Sequence, residues 1–234
     1  MDNVFLAQLA RENSAMADVD RLVNLFHLLS QTLYFGVPGT VVELGCHAGL
    51  TSVLFQKVID ALDPSRALHV YDSFLGLPTP TAFDDYLAEG DCRASELDVL
   101  RNCARWQVRA PMIHRGWFRD TLPSELPDAI AFAYIDADFY DSTRVALTHV
   151  YPRLSPSAII CIDDYADQRN PAAWRGLPGV RKAVDEFVSC GLERPSVLVG
   201  SGDLAFCYIR ANRDPIASRH DESQQFLCDS LDHR

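Results

Sequence analysis

The chain has 234 residues, of which 48% are hydrophobic and 23% are charged, a composition typical of one globular domain that buries its own core. Its formal net charge is −11 and it has no Lys/Arg-rich stretch, which argues against nucleic acid or an anionic membrane as the main partner and favours a cationic small molecule. No apolar stretch approaches the ~20 residues that span a bilayer.

Seven cysteines are scattered along the chain without a CxxC pair, at positions 46, 92, 103, 161, 190, 207 and 228. Their odd number, together with the lack of a secretory signal at the start of the sequence, predicts free thiols in a reducing cytoplasm. We therefore expect a soluble cytoplasmic protein.

The N-terminal segment, residues 1–35, is predicted to be helical. Asp18 is placed to cap a helix that continues to about Gln31. Apolar residues recur along it at the helical spacing of three and four, at Val19, Leu22, Val23, Phe26, Leu29 and Leu33. The sequence Gly-Val-Pro-Gly at 36–39 then breaks the helix.

The main domain, residues 36–210, begins with a strand, a helix and a strand. Residues 40–45 and 67–71 predict buried strands, and the helix between them has an inner face made by Leu54, Val58 and Ala61. Strand, helix and strand at this spacing predict a parallel βαβ unit.

The pattern loosens between Leu75 and about Cys103. Loops of this length in a compact domain are usually functional lids or disordered segments. We interpret residues 75–103 as a partly helical lid over the substrate site.

Three further apolar runs predict the third, fourth and fifth strands, at 111–114 and directly before Asp136 and Asp163. The helix between the last two strands is predicted from Leu147, Val150 and Leu154. A later helix buries one face, formed by Val180, Ala183, Val184, Phe187 and Val188.

Short strands at 197–199 and 205–209 complete a mostly parallel sheet of about seven strands with helices on both faces. This is an α/β, Rossmann-like fold. Residues 211–234 are predicted to form a polar C-terminal tail that frays.

Three aspartates, Asp136, Asp163 and Asp164, end two of the apolar runs. Because open α/β sheets bind ligands beyond the carboxyl ends of their strands, these side chains should share one crevice. Unpaired carboxylates repel one another, whereas a hard cation such as Mg²⁺ takes oxygen ligands. The sequence predicts a divalent-metal site, with a turn-starting Asp and a loop cap as the alternative.

The first strand ends in the sequence E-x-G-x-x-x-G, from Glu43 through Gly45 to Gly49. It lacks the G-x-G-x-x-G of dinucleotide-binding proteins, since His47 replaces a glycine, and this weighs against a nicotinamide-dependent oxidoreductase. Asp72, at the end of the second strand, is placed to accept the ribose hydroxyls of a nucleoside, although it could equally start a turn.

The pattern resembles the class I S-adenosylmethionine-dependent methyltransferases, and more narrowly the macrocin O-methyltransferase family, which methylates deoxysugars in antibiotic biosynthesis. The resemblance covers roughly residues 40–210, and the joint order of its motifs is more specific than any one of them. The matching segments lie at 41–52, 71–78, 116–123, 134–143 and 162–165.

The resemblance implies a metal-dependent O-methyltransferase that moves the methyl group of S-adenosylmethionine to a hydroxyl of a natural-product sugar or similar polyol. It implies Asp136, Asp163 and Asp164 as ligands of Mg²⁺ or another divalent cation, and Asp138 as the general base beside the catalytic Asp136. The implied cofactor contacts are Glu43, Gly45, Cys46, Gly49, Asp72, Ser73, Trp117 and Phe118. A homodimer is also expected.

Two further alternatives stay open. A catechol-type O-methyltransferase uses the same fold and metal, but that family typically has Asn as its third ligand and Lys three residues after the first Asp, where this chain has Asp164 and Phe139. A catalytically silent cofactor-binding protein would share the fold without turnover. The histidines at 47, 114 and 149 lack a chelating spacing and are predicted to be structural.

Overall fold

The computed structural model describes residues 3–13, 16–165, 176–189, 193–198 and 205–212. The predictions for Val199, for residues 213–234 of the tail, and for Cys190 and Cys228 lie outside these ranges. The other cysteines are free thiols, at 46, 92, 103, 161 and 207.

Seven strands form one sheet in the spatial order β3-β2-β1-β4-β5-β7-β6. They are β1 (Thr40–Leu44), β2 (Leu68–Asp72), β3 (Met112–Arg115), β4 (Ile130–Ile135), β5 (Leu154–Asp163), β6 (Ser196–Leu198) and β7 (Phe206–Arg210). The first five strands run parallel, and β7 lies antiparallel to β5 and β6. The predicted Rossmann-like sheet is confirmed.

Helices cover both faces of the sheet. They are α1 (Asn3–Glu12), α2 (Val19–Tyr34), α3 (Leu50–Leu62), α4 (Glu96–Arg105), α5 (Phe118–Glu125), α6 (Tyr140–Val150) and α7 (Pro178–Ser189). One core cluster joins α1 to α4 with one face, and a second joins α5 to α7 with the other. The helix α1 lies within the segment 1–35 that was predicted to be helical, whereas α5 was not predicted. None of the helices in the described part of the chain is long and apolar enough to cross a membrane.

The N-terminal helix α2 begins as predicted, with the Asp18 carboxylate accepting a hydrogen bond from the Arg21 backbone N at 2.7 Å. Its buried stripe is rotated from the predicted one, because Val19 is exposed and two leucines outside the predicted stripe are buried. The buried residues are Arg21, Leu22, Leu25, Leu28, Leu29, Thr32 and Leu33. A charged side chain therefore enters the core from this helix.

The predicted lid contains two different structures. Its last part is α4, which starts with a capping box between Ser95 and Asp98 and buries Val99 and Cys103 in the core. Residues 73–95 form neither helix nor strand. The two arms of this loop are joined by a hydrogen bond, in which the backbone N of Leu77 donates to the Asp91 carbonyl at 2.8 Å.

Leu154 was predicted on the helix that follows Asp136, and this prediction is wrong. The helix α6 ends at Val150, a single 3-10 turn occupies Tyr151–Arg153, and Leu154 is the first residue of β5. Pro152 in this turn has no backbone N–H and cannot continue the α-helical ladder.

Candidate active site at the carboxyl edge of the sheet

A cleft opens beyond the carboxyl ends of β1, β2 and β4. The strand order reverses between β1 and β4, and open α/β sheets bind their ligands at such a switch point. Its lining includes part of the predicted cofactor set, namely Gly45, Asp72, Ser73, Trp117 and Phe118, and also both predicted catalytic residues, Asp136 and Asp138.

Gly45 allows the ends of β1 and β4 to approach each other. Its φ is +88°, and a Cβ atom at this position would lie 1.8 Å from the backbone oxygen of Asp136. The backbone N of Gly45 donates to the Tyr71 carbonyl at 2.8 Å, and that of Asp136 donates to the Leu44 carbonyl at 2.9 Å. Because Gly45 has no side chain, the end of β1 packs directly against the backbone of Asp136, the first of the clustered acids.

Asp72 is held in a fixed orientation at the end of β2. One carboxylate oxygen accepts from the backbone N of Phe74 at 2.8 Å, and the other accepts from the backbone N of His47 at 2.9 Å. Burial raises the pKa of Asp72 above its usual value, while these hydrogen bonds oppose the shift. A carboxylate fixed in this way can still accept hydrogen bonds from two hydroxyls of a ligand, because each oxygen has two lone pairs.

Three predicted cofactor residues, Glu43, Cys46 and Gly49, are not part of the described cleft lining. Glu43 is fully buried, accepts a hydrogen bond from the Ser52 hydroxyl at 2.5 Å, and has its pKa raised to about 8 by burial. Gly49 is the N-cap of α3, and a Cβ atom there would lie 2.8 Å from a methyl group of Val99 on α4. These residues support the loop between β1 and α3 from the side that faces away from the cleft.

Side-chain oxygens of Asp136, Asp138 and Asp164 lie within 4.8 Å of one another. Asp136 and Asp138 are partly exposed to the cleft, and Asp164 is buried. Asp138 and Asp164 both have left-handed backbones, with φ of 58° and 61°, a conformation that is costly for these residues and is concentrated at functional sites.

The predicted ligand Asp163 lies outside this group of three, whereas the predicted base Asp138 lies inside it. Both oxygens of Asp163 are already engaged: one accepts from the Arg21 Nε at 2.6 Å, and the other accepts from the Tyr134 hydroxyl at 2.5 Å. Side chains alternate along a strand, so Asp163 follows Ile159 and Cys161 onto the face that packs against α2.

Burial and mutual repulsion change the acidity of this group. Burial raises the pKa of Asp136 and of Asp164 well above the usual value, and the charge of Asp163 raises both further. The pKa of Asp138 is raised to about 7, first by burial and then by the charges of Asp163 and Asp72. Clustered carboxylates with raised pKa values are an oxygen donor set that fits a hard divalent cation, whose charge reverses the repulsion.

Arg21 and His47 were not predicted from the sequence as residues of the site. Arg21 lies on α2 at the helical spacing from Leu25 and Leu28, so its position on a buried face was the available signal. His47 was predicted to be structural, and its backbone N does orient Asp72, but its side chain also lines the cleft. His114 lies away from the cleft, between His69 and Glu125.

These features define a class of protein, the α/β proteins with a Rossmann-like sheet and a ligand cleft at the switch point of its strand order. Among solved structures, the O-methyltransferase NovP superposes with a TM-score of 0.73 at 28% identity, covering 84% of this chain and 81% of that one. A calicheamicin methyltransferase, CalS11, superposes with a TM-score of 0.65 at 20% identity, covering 89% and 92% of the two chains, and supports the fold alone.

The profile of the macrocin-O-methyltransferase (TylF) family matches residues 8–189, and the chain belongs to this family. It is an S-adenosylmethionine-dependent O-methyltransferase. The mycinamicin III 3''-O-methyltransferase of Micromonospora griseorubida is 34% identical over 185 residues, which cover 74% of this chain and 69% of that protein.

A second relative is an enzyme of Streptomyces olivaceus, the 8-demethyl-8-(2,3-dimethoxy-alpha-L-rhamnosyl)-tetracenomycin-C 4'-O-methyltransferase. It is 34% identical over 192 residues, which cover 76% of this chain and 73% of that protein.

Proposed function

We propose that this enzyme methylates a sugar hydroxyl of a small natural product in antibiotic biosynthesis, with Mg²⁺ or another divalent cation bound beside the cofactor. The observation that carries the proposal is the group of carboxylates from Asp136, Asp138 and Asp164, which adjoins the same cleft as Asp72. One side of the cleft is suited to a nucleoside, and the other is suited to a cation.

The acceptor class is supported by the two curated relatives, whose names specify O-methylation of mycinamicin III at position 3'' and of a rhamnosyl tetracenomycin C at position 4'. The cleft lining supports an acceptor without phosphate groups, because no Lys or Arg occurs among its described residues. Phosphate groups are normally bound by such side chains. A neutral or amino-substituted glycoside fits this lining better than a sugar nucleotide.

The cofactor is assigned to the half of the cleft at β1 and β2. Asp72 would accept hydrogen bonds from the ribose hydroxyls, the backbone at Gly45 would allow the cofactor to approach closely, and Trp117 and Phe118 would flank the adenine. An ordered nucleophile in line with the methyl group is worth roughly 7–11 kcal/mol of barrier, so these residues contribute mainly by positioning.

Asp138 is assigned as the general base that would take the proton of the acceptor hydroxyl. Its carboxylate lies in the cleft, close to Asp136 and Asp164, where it can reach the hydroxyl of a bound acceptor. Asp136 and Asp164 would hold the cation, while Asp163 orients this part of the site through its bonds to Arg21 and Tyr134. When bound, a divalent cation polarises the acceptor oxygen and favours its deprotonation.

Residues 73–95 are proposed as the lid over the acceptor. Leu77, Pro78 and Cys92 from this loop line the cleft. The loop is attached to α6, because the Asp84 carboxylate accepts a hydrogen bond from the backbone N of Tyr140 at 2.9 Å. The expected homodimer stays a prediction.

The test is methyl transfer from labelled S-adenosylmethionine to glycosides, a sugar nucleotide and a catechol, with Mg²⁺ or with a chelator. We expect turnover of a glycoside that requires the metal. Asp138→Asn should reduce turnover about 10²–10⁴-fold, the usual contribution of a general base. Unchanged turnover in chelator would refute metal dependence, and preferred turnover of the catechol would refute the acceptor class.

A further inference from the structure

Arg21 is a cation that the N-terminal helix places within the acidic site. Only 7% of its surface is exposed, and its Nε donates to the Asp163 carboxylate at 2.6 Å across 142 residues of sequence. One of its terminal nitrogens lies 3.6 Å from a carboxylate oxygen of Asp164. A segment that the sequence separates from the main domain therefore contributes a charge to the site.

The neighbouring carboxylates greatly outnumber this guanidinium. Asp136 and Asp138 lie close to Asp164, which is next in the chain to Asp163. Removing the partner of a buried ion pair leaves an uncompensated charge and is strongly destabilising. Arg21 thus compensates part of a charge that a divalent cation would also compensate.

We propose that Arg21 is a positioning residue that is negatively coupled to the divalent cation, since both cations would interact with the Asp164 carboxylate. By holding Asp163 toward α2 and facing Asp164, Arg21 stabilises the cluster before metal binds and weakens the binding of the metal. This inference rests on the proposed function, because it requires a metal at Asp136 and Asp164.

The coupling should depend on the charge of Arg21 and not on a displacement of Asp163. Asp163 is held from its other side by the Tyr134 hydroxyl, so its carboxylate keeps a contact when Arg21 is replaced. Two like charges a few ångströms apart in a partly buried site repel strongly enough to change a binding constant by about tenfold or more. Loss of the Arg21 charge should therefore tighten metal binding.

The test is a titration of the metal-depleted full-length enzyme with Mn²⁺, followed by electron paramagnetic resonance, together with melting temperatures with and without Mn²⁺. For Arg21→Met we expect a lower melting temperature without metal, a larger rise on adding Mn²⁺ than in the wild type, and a Mn²⁺ dissociation constant about tenfold lower. An unchanged or higher dissociation constant would overturn the coupling.

Arg21→Lys provides a second variant that keeps the charge, should Arg21→Met not fold. Its Mn²⁺ affinity should stay within about twofold of the wild type. A tenfold change in either direction would contradict an effect of charge.

Arg66→Met is a matched control, because Arg66 is also largely buried and forms an ion pair, with Asp63 at 2.8 Å, far from the cleft. It should lower the melting temperature equally with and without Mn²⁺ and leave the Mn²⁺ affinity unchanged. If the wild type shows no saturable Mn²⁺ binding, the proposed metal dependence fails. If the wild type binds Mn²⁺ and Arg21→Met binds it equally, only the coupling fails.

Discussion

The two halves of the cleft use acidic residues in opposite ways. At β1 and β2 a single carboxylate, Asp72, is surrounded by backbone N–H groups of the adjoining loops. At β4 and β5 the side chains of Asp136, Asp138 and Asp164 face one another, with Arg21 reaching only the last of them. Backbone N–H groups compensate the carboxylate of the first half, whereas the carboxylates of the second half mainly face one another.

From this difference we infer a different ligand for each half of the cleft. Fixed backbone dipoles stabilise one carboxylate and leave its remaining lone pairs for hydroxyl groups. A group of carboxylates with raised pKa values is stabilised only by protons or by cations. The carboxylate at β1 and β2 therefore predicts a nucleoside on that side of the cleft, and the carboxylates at β4 and β5 predict a divalent ion on the other.

The largest expected effect comes from Gly45, which joins the two halves. In Gly45→Ala the new Cβ would lie 1.8 Å from the Asp136 backbone oxygen, and no rotamer change relieves a contact with backbone. We expect a loss of at least about 4 kcal/mol in the free energy of unfolding, measured by urea denaturation.

Gly36→Ala is the control, since Gly36 also has a positive φ, of +65°, with nothing within 4 Å of the added Cβ. It should cost only about 1–2 kcal/mol. Equal losses in the two variants would show that backbone conformation, and not the contact between the halves, accounts for the effect.

The next largest effect is a change in the pH dependence of stability, and it comes from Glu43, the buried acid on β1. Burial raises the pKa of Glu43 to about 8 in the folded protein, against 4.5 for the free side chain. The folded state therefore binds more protons than the unfolded state, so the contribution of Glu43 is full below about pH 4.5 and is lost as pH rises through about 8.

Replacing Glu43 with Gln removes this titration. Between pH 5 and pH 9 the variant should gain on the order of 4 kcal/mol relative to the wild type, as measured by urea denaturation across that range. Parallel stability curves for the two proteins would contradict a protonated Glu43.

The smallest effect tests the independence of the halves. Asp72→Asn exchanges one acceptor oxygen for an amide that faces a backbone N–H, and should weaken binding of S-adenosylhomocysteine about tenfold, the worth of one hydrogen bond to a charged group. Calorimetry with Mn²⁺ should show an affinity within about twofold of the wild type. A comparable loss of Mn²⁺ affinity would mean that the halves are not separate.

Much of the fold was predictable because its signals are local. Continuous apolar runs indicated all five parallel strands, and Asp18 indicated where α2 begins. Motif order indicated the family, because the glycine loop, Asp72 and the later aspartates each follow a strand end.

The rest depended on side-chain direction and on distant contacts. Asp163 and Asp164 are neighbours in sequence, yet strand alternation turns Asp163 toward α2 and Tyr134. Arg21 acts across 142 residues, so no local pattern pairs it with Asp163. Leu154 fits a helical spacing, but the intervening Pro152 ends the helix before it.

Mn²⁺ binding to Asp136→Asn, with Asp128→Asn as a control at the opposite edge of the sheet, tests the central claim most directly. We predict one saturable Mn²⁺ site in the wild type and in the control, with affinity reduced at least about 100-fold in Asp136→Asn while S-adenosylhomocysteine still binds. No saturable site in the wild type, or equal affinity in all three proteins, would contradict a metal at the acidic half of the cleft.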